Sequence, residues 1–130
     1  DPAFDGACDR LSNIVDTVQY ERLRWDRHEG PVLKRLVELA HGAFENRGEF
    51  EMSEEGASPD VKRFVLKVHG KRVFAIAMGI ENGKVFVRSS EAERSHYTLQ
   101  PGPAIVAEFD EIDEQWMAEA MKTLFSRIAK

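Results

Sequence analysis

Between Val61 and Arg88 the chain reads VKRFVLKVHGKRVFAIAMGIENGKVFVR. Three runs rich in β-branched and aromatic residues are separated there by His69-Gly70 and Asn82-Gly83, and X-Gly pairs between such runs are the strongest short-range hairpin signal. The stretch predicts a three-stranded antiparallel meander, with a type I′ turn at Asn82-Gly83 that holds Gly83 at positive φ. With two-residue turns, Val68 lies opposite Lys71, Lys67 opposite Arg72 and Glu81 opposite Lys84, and the period of two sorts the side chains onto faces. One face then carries Phe64, Leu66 and Val68 with Val73, Ala75 and Ala77. The other carries Val65, Phe74, Ile76 and Met78, with Arg63, Lys67 and Arg72 towards one end. Both are apolar enough to want cover, from helices on both sides or from a partner.

A chain of 130 residues, 42% hydrophobic and 32% charged, has the size and composition of one ordinary domain with a real core. We expect a single α+β domain over residues 1–130: a helical hairpin over 1–48, an antiparallel meander of four to six strands over 49–109, and a C-terminal helix over 110–130 packed on the sheet. Strands and helices do not alternate, which argues against a parallel sheet. No run of about 18 apolar residues is present to span a bilayer, and the opening DPAFDGACDR lacks the features of a signal peptide. Cys8 is the single cysteine, so an internal disulfide and multi-cysteine metal sites are excluded. These features point to a cytoplasmic protein without membrane contact.

The helical signals are plain. Leu11, Ile14, Val15, Val18 and Trp25 recur at helical spacing between about Ala7 and Arg27, and Gly30-Pro31 is expected to break that helix and begin the next. The second carries a broad apolar stripe from Val32 to Phe44, with Gly48 placed as its C-terminal cap. On its far side Glu38, His41 and Glu45 have the spacing of helical metal ligands, but they face away from the stripe beside Lys34. The chain has no second such motif, so neither a metal nor a cofactor is expected. Glu49 to Ser53 reads as a short edge strand, and the following SEEGASPD, with Gly56, Ser58 and Pro59, as a loop. The strand after Asp60 lacks the acid-x-Lys pattern of metal-dependent nucleases.

The net charge of −5 is unevenly spread. Residues 61–96 hold eight Lys or Arg against three Glu, a local excess of +5, while the remainder holds ten basic and twenty acidic residues. Candidate anion-binding groups are Arg63, Lys67 and Arg72 on the sheet, with Arg94 and His96 in the polar stretch SSEAERSHYTLQPGP that follows it. Lys67 opposite Arg72 is a like-charge pair, which needs carboxylates from the same chain or an anionic partner. Ser95 to Leu99 and Ala104 to Phe109 read as two further strands. Asp110 and Asp113 are placed to cap the last helix, whose apolar residues cover about half its circumference, wider than the ~100° one surface requires. Trp116, Met117, Met121 and Phe125 are therefore candidate interface residues.

There is no phosphate-binding loop, dinucleotide fingerprint, HExxH or GxSxG, and no side-chain constellation marks a catalytic residue. The leading expectation is a non-enzymatic protein-interaction or assembly domain that forms a homodimer or takes another protein as partner. Binding of nucleic acid or a phosphate ligand through the basic sheet is the alternative. A small-ligand site or enzyme pocket between helices and sheet is the third.

Overall fold

A computed structural model of the chain describes residues 1–58 and 60–129, so Pro59 of the expected loop lies outside the described residues. The class is α+β: N-terminal helices, a five-stranded antiparallel sheet and a C-terminal helix. Backbone contacts divide the chain into two compact units, Asp1–Val32 and Leu33–Lys130.

The first unit holds α1 (Pro2–Val15), α2 (Thr17–Arg24), a π-helical turn (Trp25–Glu29) and the start of α3 (Gly30–Ala43). Asp1 caps α1 by accepting from the N–H of Ala3 at 2.9 Å, and Pro2 fills a first-turn position where its missing N–H costs nothing. The helix expected to run unbroken to Arg27 is interrupted at Asp16, whose backbone is extended and whose carboxylate accepts from Gln19 N at 3.1 Å. A residue suited to an N-cap takes that role inside an apolar stripe. The break expected at Gly30-Pro31 is absent. Gly30 has ordinary right-handed helical angles and its N–H reaches back five residues to Trp25 O. That wider ring sits just ahead of Pro31, which lacks an N–H and crowds the carbonyl four residues before it, so the π turn is where the irregularity is absorbed.

The second unit is built on the sheet, with strand order β1-β2-β3-β4-β6: β1 (Phe50–Ala57), β2 (Val61–Val68), β3 (Lys71–Glu81), β4 (Lys84–Glu91) and β6 (Ile105–Ala107). Both hairpin turns of the meander form as the sequence predicts, with φ of 51° and 76° at His69 and Gly70 and 53° and 73° at Asn82 and Gly83. Lys67 does pair with Arg72, and Glu81 with Lys84.

The face assignment needs one correction. Leu66 pairs with Phe74, not Val73, because a bulge leaves Val73 as an extra residue between Phe74 and Arg72. Directly paired residues of antiparallel strands share a face. The slip therefore moves Phe64 and Leu66 to the side of Phe74, Ile76, Met78 and Val87, and every one of these is buried. Most of the large apolar side chains of the sheet are gathered on one face, Phe86 being on the other. His41 of α3 meets Phe64 edge-on at 5.4 Å, and Phe125 of α4 (Glu114–Phe125) meets Phe74 in the same manner at 6.1 Å, so both helices cover that face. Leu33, Leu36 and Ala40 of α3 and Met117, Ala120, Met121 and Leu124 of α4 complete this core.

The opposite face is small and closed locally. Val65, Ala75 and Ala92 form a buried cluster, and Ser95 ties its loop to the bulge by donating to Val73 O at 2.7 Å. Phe86 lies across Gly79, where a Cβ would fall 2.9 Å from the ring, and the Arg88 guanidinium sits 4.6 Å from the ring centroid. Of the cover expected for both faces, helices supply one side, and on the other the residue that closes over Val65 and Ala75 is Ala92, just past the end of β4, not a helix.

Three further boundaries differ. β1 runs on to Ala57, so Glu54 and Glu55 are strand residues with an irregularity between Glu54 and Ala57; charged side chains suit an exposed edge strand. α3 ends at Ala43, before the Gly48 expected to cap it. Asp113 caps α4 by accepting from Trp116 N at 2.7 Å, but the helix stops at Phe125. β7 (Ile128–Ala129) then pairs with β5 (Thr98–Leu99). Among the described residues no helix is long and apolar enough to cross a membrane.

Candidate functional site

Of the five candidate anion-binding residues, the fold draws three around one carboxylate. Arg72 forms a two-pronged bond to Glu55, with Nη1 to Oε2 at 2.6 Å and Nη2 to Oε1 at 3.0 Å, and its Nε donates to Glu93 O at 2.9 Å. The guanidinium is thereby committed within the chain. The Glu55 carboxyl is held below its ordinary range chiefly by the Arg72 hydrogen bond, and the positive charges of Arg72, Lys67 and Arg94 add to the effect. The like-charge pair of Lys67 and Arg72 is thus compensated by Glu55 of β1 rather than by the helices or the 108–111 turn. Reading Glu55 as loop hid this partner. Glu108 does reach the basic segment, pairing with Lys84 at 3.5 Å, as Glu54 pairs with Lys62 at 3.7 Å, both exposed contacts worth little. Arg63 and His96 are exposed and make no ion pair among the described residues. Arg94 occupies the left-handed region at φ 63°.

The candidate interface residues on α4 separate into two classes. Met117 and Met121 are 0% and 3% exposed and belong to the core, which corrects their assignment as surface contacts. Trp116 and Phe125 are half-buried. The extra width of the apolar stripe on α4 is used by Phe125, whose ring lies near-parallel to Phe44 and Phe50 at centroid distances of 6.0 Å to each. Phe44 and Phe50 are themselves 5.3 Å apart with planes 4° from parallel. These rings border an open groove of about 420 Å³ lined also by Ala43, Ala118 and Met121 and by the charged residues Arg47, Lys122 and Glu114. Arg47 bonds Glu49 at 2.6 Å, a contact that holds the Glu49 carboxyl below its ordinary range.

Sequence reading found Phe125 but missed Phe44, Phe50 and Ala118 as its neighbours. Phe44 was visible as the last residue of its stripe and Phe50 as the first inward residue of an edge strand. What joins them is tertiary.

A further run of apolar side chains lies in the Asp1–Val32 unit, where nothing of that unit covers it. No residue of α1 or α2 is buried, and Phe4, Leu11, Ile14 and Val15 are 66%, 63%, 74% and 76% exposed, with Val18 and Leu23 continuing the pattern. Outside these helices, Val106 is the one other exposed large apolar residue among the described residues. Compared with protein-family models, with curated proteins and with solved structures, the chain matches none.

Proposed function

We propose that this chain is a non-enzymatic protein-interaction or assembly domain that associates with a second copy of itself. The observation that carries the reading is the apolar ridge of α1: nothing within the Asp1–Val32 unit covers Phe4, Leu11, Ile14 and Val15, although their spacing is that of a buried helix face. A helix of 14 residues is marginal in isolation, and its stability comes mainly from packing its apolar side. Burial of such side chains is worth roughly 1.5–3 kcal/mol each, so a covering partner is strongly favoured. Phosphate or nucleic-acid binding has less support, because Arg72, the most constrained cation of the basic sheet, is held by Glu55 and Glu93.

The test is sedimentation equilibrium of the parent chain and of a Leu11→Asp, Val15→Asp variant. The parent should show a concentration-dependent dimer on the order of tens of micromolar, as a modest interface would give. The variant should be monomeric with an unchanged melting transition of the sheet unit. A parent that stays monomeric throughout contradicts the reading.

A further inference from the structure

We infer that the groove between Phe44, Phe50 and Phe125 is a binding site for a small aromatic acid, a ligand with a flat ring body and one anionic group. Every residue that lines the groove belongs to the Leu33–Lys130 unit, so that unit alone forms the site. The inference does not depend on self-association. At about 420 Å³ the groove falls within the roughly 300–1,000 Å³ of small-molecule sites, and like them it is lined chiefly by apolar side chains with a few charged ones among them.

The walls call for a ring. Phe44 and Phe50 lie 4° from parallel, and Phe125 is inclined to them by 26° and 22°. All three are half-buried, so each keeps surface for a ligand to meet. Near-parallel rings offer flat faces to a further ring, in offset-stacked or edge-on contacts that add to simple burial. Phe125 is also set edge-on against the buried Phe74 at 6.1 Å, which holds this wall in place before a ligand arrives and lowers the cost of ordering it.

The charged lining residues are not equivalent. Arg47 is committed: its Nε donates to Glu49 Oε1 at 2.6 Å, and its guanidinium carbon lies 5.8 Å from the Phe50 centroid. A cationic ligand would compete with that guanidinium for the ring. Lys122 is exposed and makes no ion pair among the described residues. It stands three positions before Phe125 on α4, a spacing that makes the two side chains neighbours on the helix surface. Glu114 makes no ion pair among the described residues either, but it begins α4, about 12 Å along the axis from Lys122, and also lines a depression beside Leu39 and Gly42 of α3. The groove thus has a negative end and a positive end. The anionic group belongs at the Lys122 end, where the ammonium can donate to it beside the Phe125 ring.

The experiment uses the full chain and a defined probe, anilinonaphthalene sulfonate, with N-phenylnaphthylamine, the same rings without the sulfonate, as the neutral comparison. Both brighten in apolar surroundings. Titrations are read in the parent and in a Leu11→Ser, Val15→Ser variant, which strips the α1 ridge without adding charge. The sulfonate should bind both proteins alike, at a single site with a Kd on the order of tens of micromolar. Ala118→Trp, which fills the groove from an exposed position of α4, should weaken it about tenfold or more. Ala43→Trp, from the α3 side, serves as the second groove variant should Ala118→Trp lower the melting temperature. Lys122→Gln should weaken the sulfonate about fivefold and leave the neutral probe unchanged. A parent that binds no probe, binding lost in the ridge variant, or binding that both tryptophan variants leave intact overturns the site. A Lys122→Gln change that affects both probes equally, or neither, overturns the acid as its ligand. If the tryptophan variants abolish self-association and the associated parent excludes the probe, a second copy fills the groove and the inference is overturned while self-association stands. A monomeric parent that binds the sulfonate as described upholds the inference and overturns self-association alone.

Discussion

Gly79 offers the sharpest check on the packing of the sheet. A Cβ built there would lie 2.6 Å from the carbonyl oxygen of Asp60 and 2.9 Å from two ring atoms of Phe86. Neither neighbour can yield freely. Asp60 O accepts from Ile80 N at 3.3 Å, and the Phe86 ring is 3% exposed with the Arg88 guanidinium 4.6 Å from its centroid. Overpacking of this kind costs about 1–3 kcal/mol, and displacing Asp60 O puts at risk a hydrogen bond worth a further ~1 kcal/mol. Gly79→Ala should therefore destabilise by about 3 kcal/mol, which for a unit of this size lowers the melting temperature by roughly 12–24 °C. Urea unfolding of the parent, Gly79→Ala, Phe86→Ala and the double variant separates the two conflicts. With the ring removed, the added cost of the alanine should shrink by about 1 kcal/mol. A Gly79→Ala protein within about 0.5 kcal/mol of the parent would refute the close pairing of Gly79 with Phe86, and with it the β3–β4 register.

Three further perturbations follow from the same structure. Gly83→Val places a β-branched side chain at φ 73° and should cost at least about 1 kcal/mol by thermal melting. Met117→Ala, at a fully buried position of α4, should cost about 2–4 kcal/mol in denaturant while leaving self-association of the folded chain unchanged, as expected of core rather than interface. The Glu55 carboxyl is lowered in the folded chain, so its contribution to stability is present at neutral pH and is lost as pH falls below the ordinary glutamate value of 4.5. Glu55→Gln should be less stable than the parent at pH 7, and the gap should narrow in melts taken at successively lower pH.

Local chemistry made much of the fold legible and long-range pairing hid the rest. His69-Gly70 and Asn82-Gly83 specify their turns within four residues, so the meander and the Lys67–Arg72 pairing were readable. The bulge at Val73 was not, since alternation continues through a one-residue slip without a gap. Its trace is that only the slipped register gathers Phe64, Leu66, Phe74, Ile76 and Met78 on one face. Gly30-Pro31 misled because a π turn absorbs the proline, and Asp16 because an N-cap residue inside an apolar stripe looks like an exposed helical position. The α4 stripe was correctly read as touching more than one surface, but Met117 and Met121 are buried in the core, and of the four candidate residues Met121 and Phe125 line the groove. Phe44 and Phe50 could not be joined to it without the fold that sets the end of α3 beside β1. Glu55, the partner of Arg72, was hidden by acidic residues that read as loop and form an edge strand.

Cys8 gives the most direct test that the α1 ridge is covered in solution. It is the single cysteine, it is exposed in the isolated chain, and it lies on the ridge between Phe4 and Leu11. The rate at which its thiol reacts with a maleimide under native conditions, measured from micromolar to hundreds of micromolar protein, should fall as concentration rises and the ridge is buried by a second copy. A Cys8 rate in the parent that does not change with concentration would contradict the account.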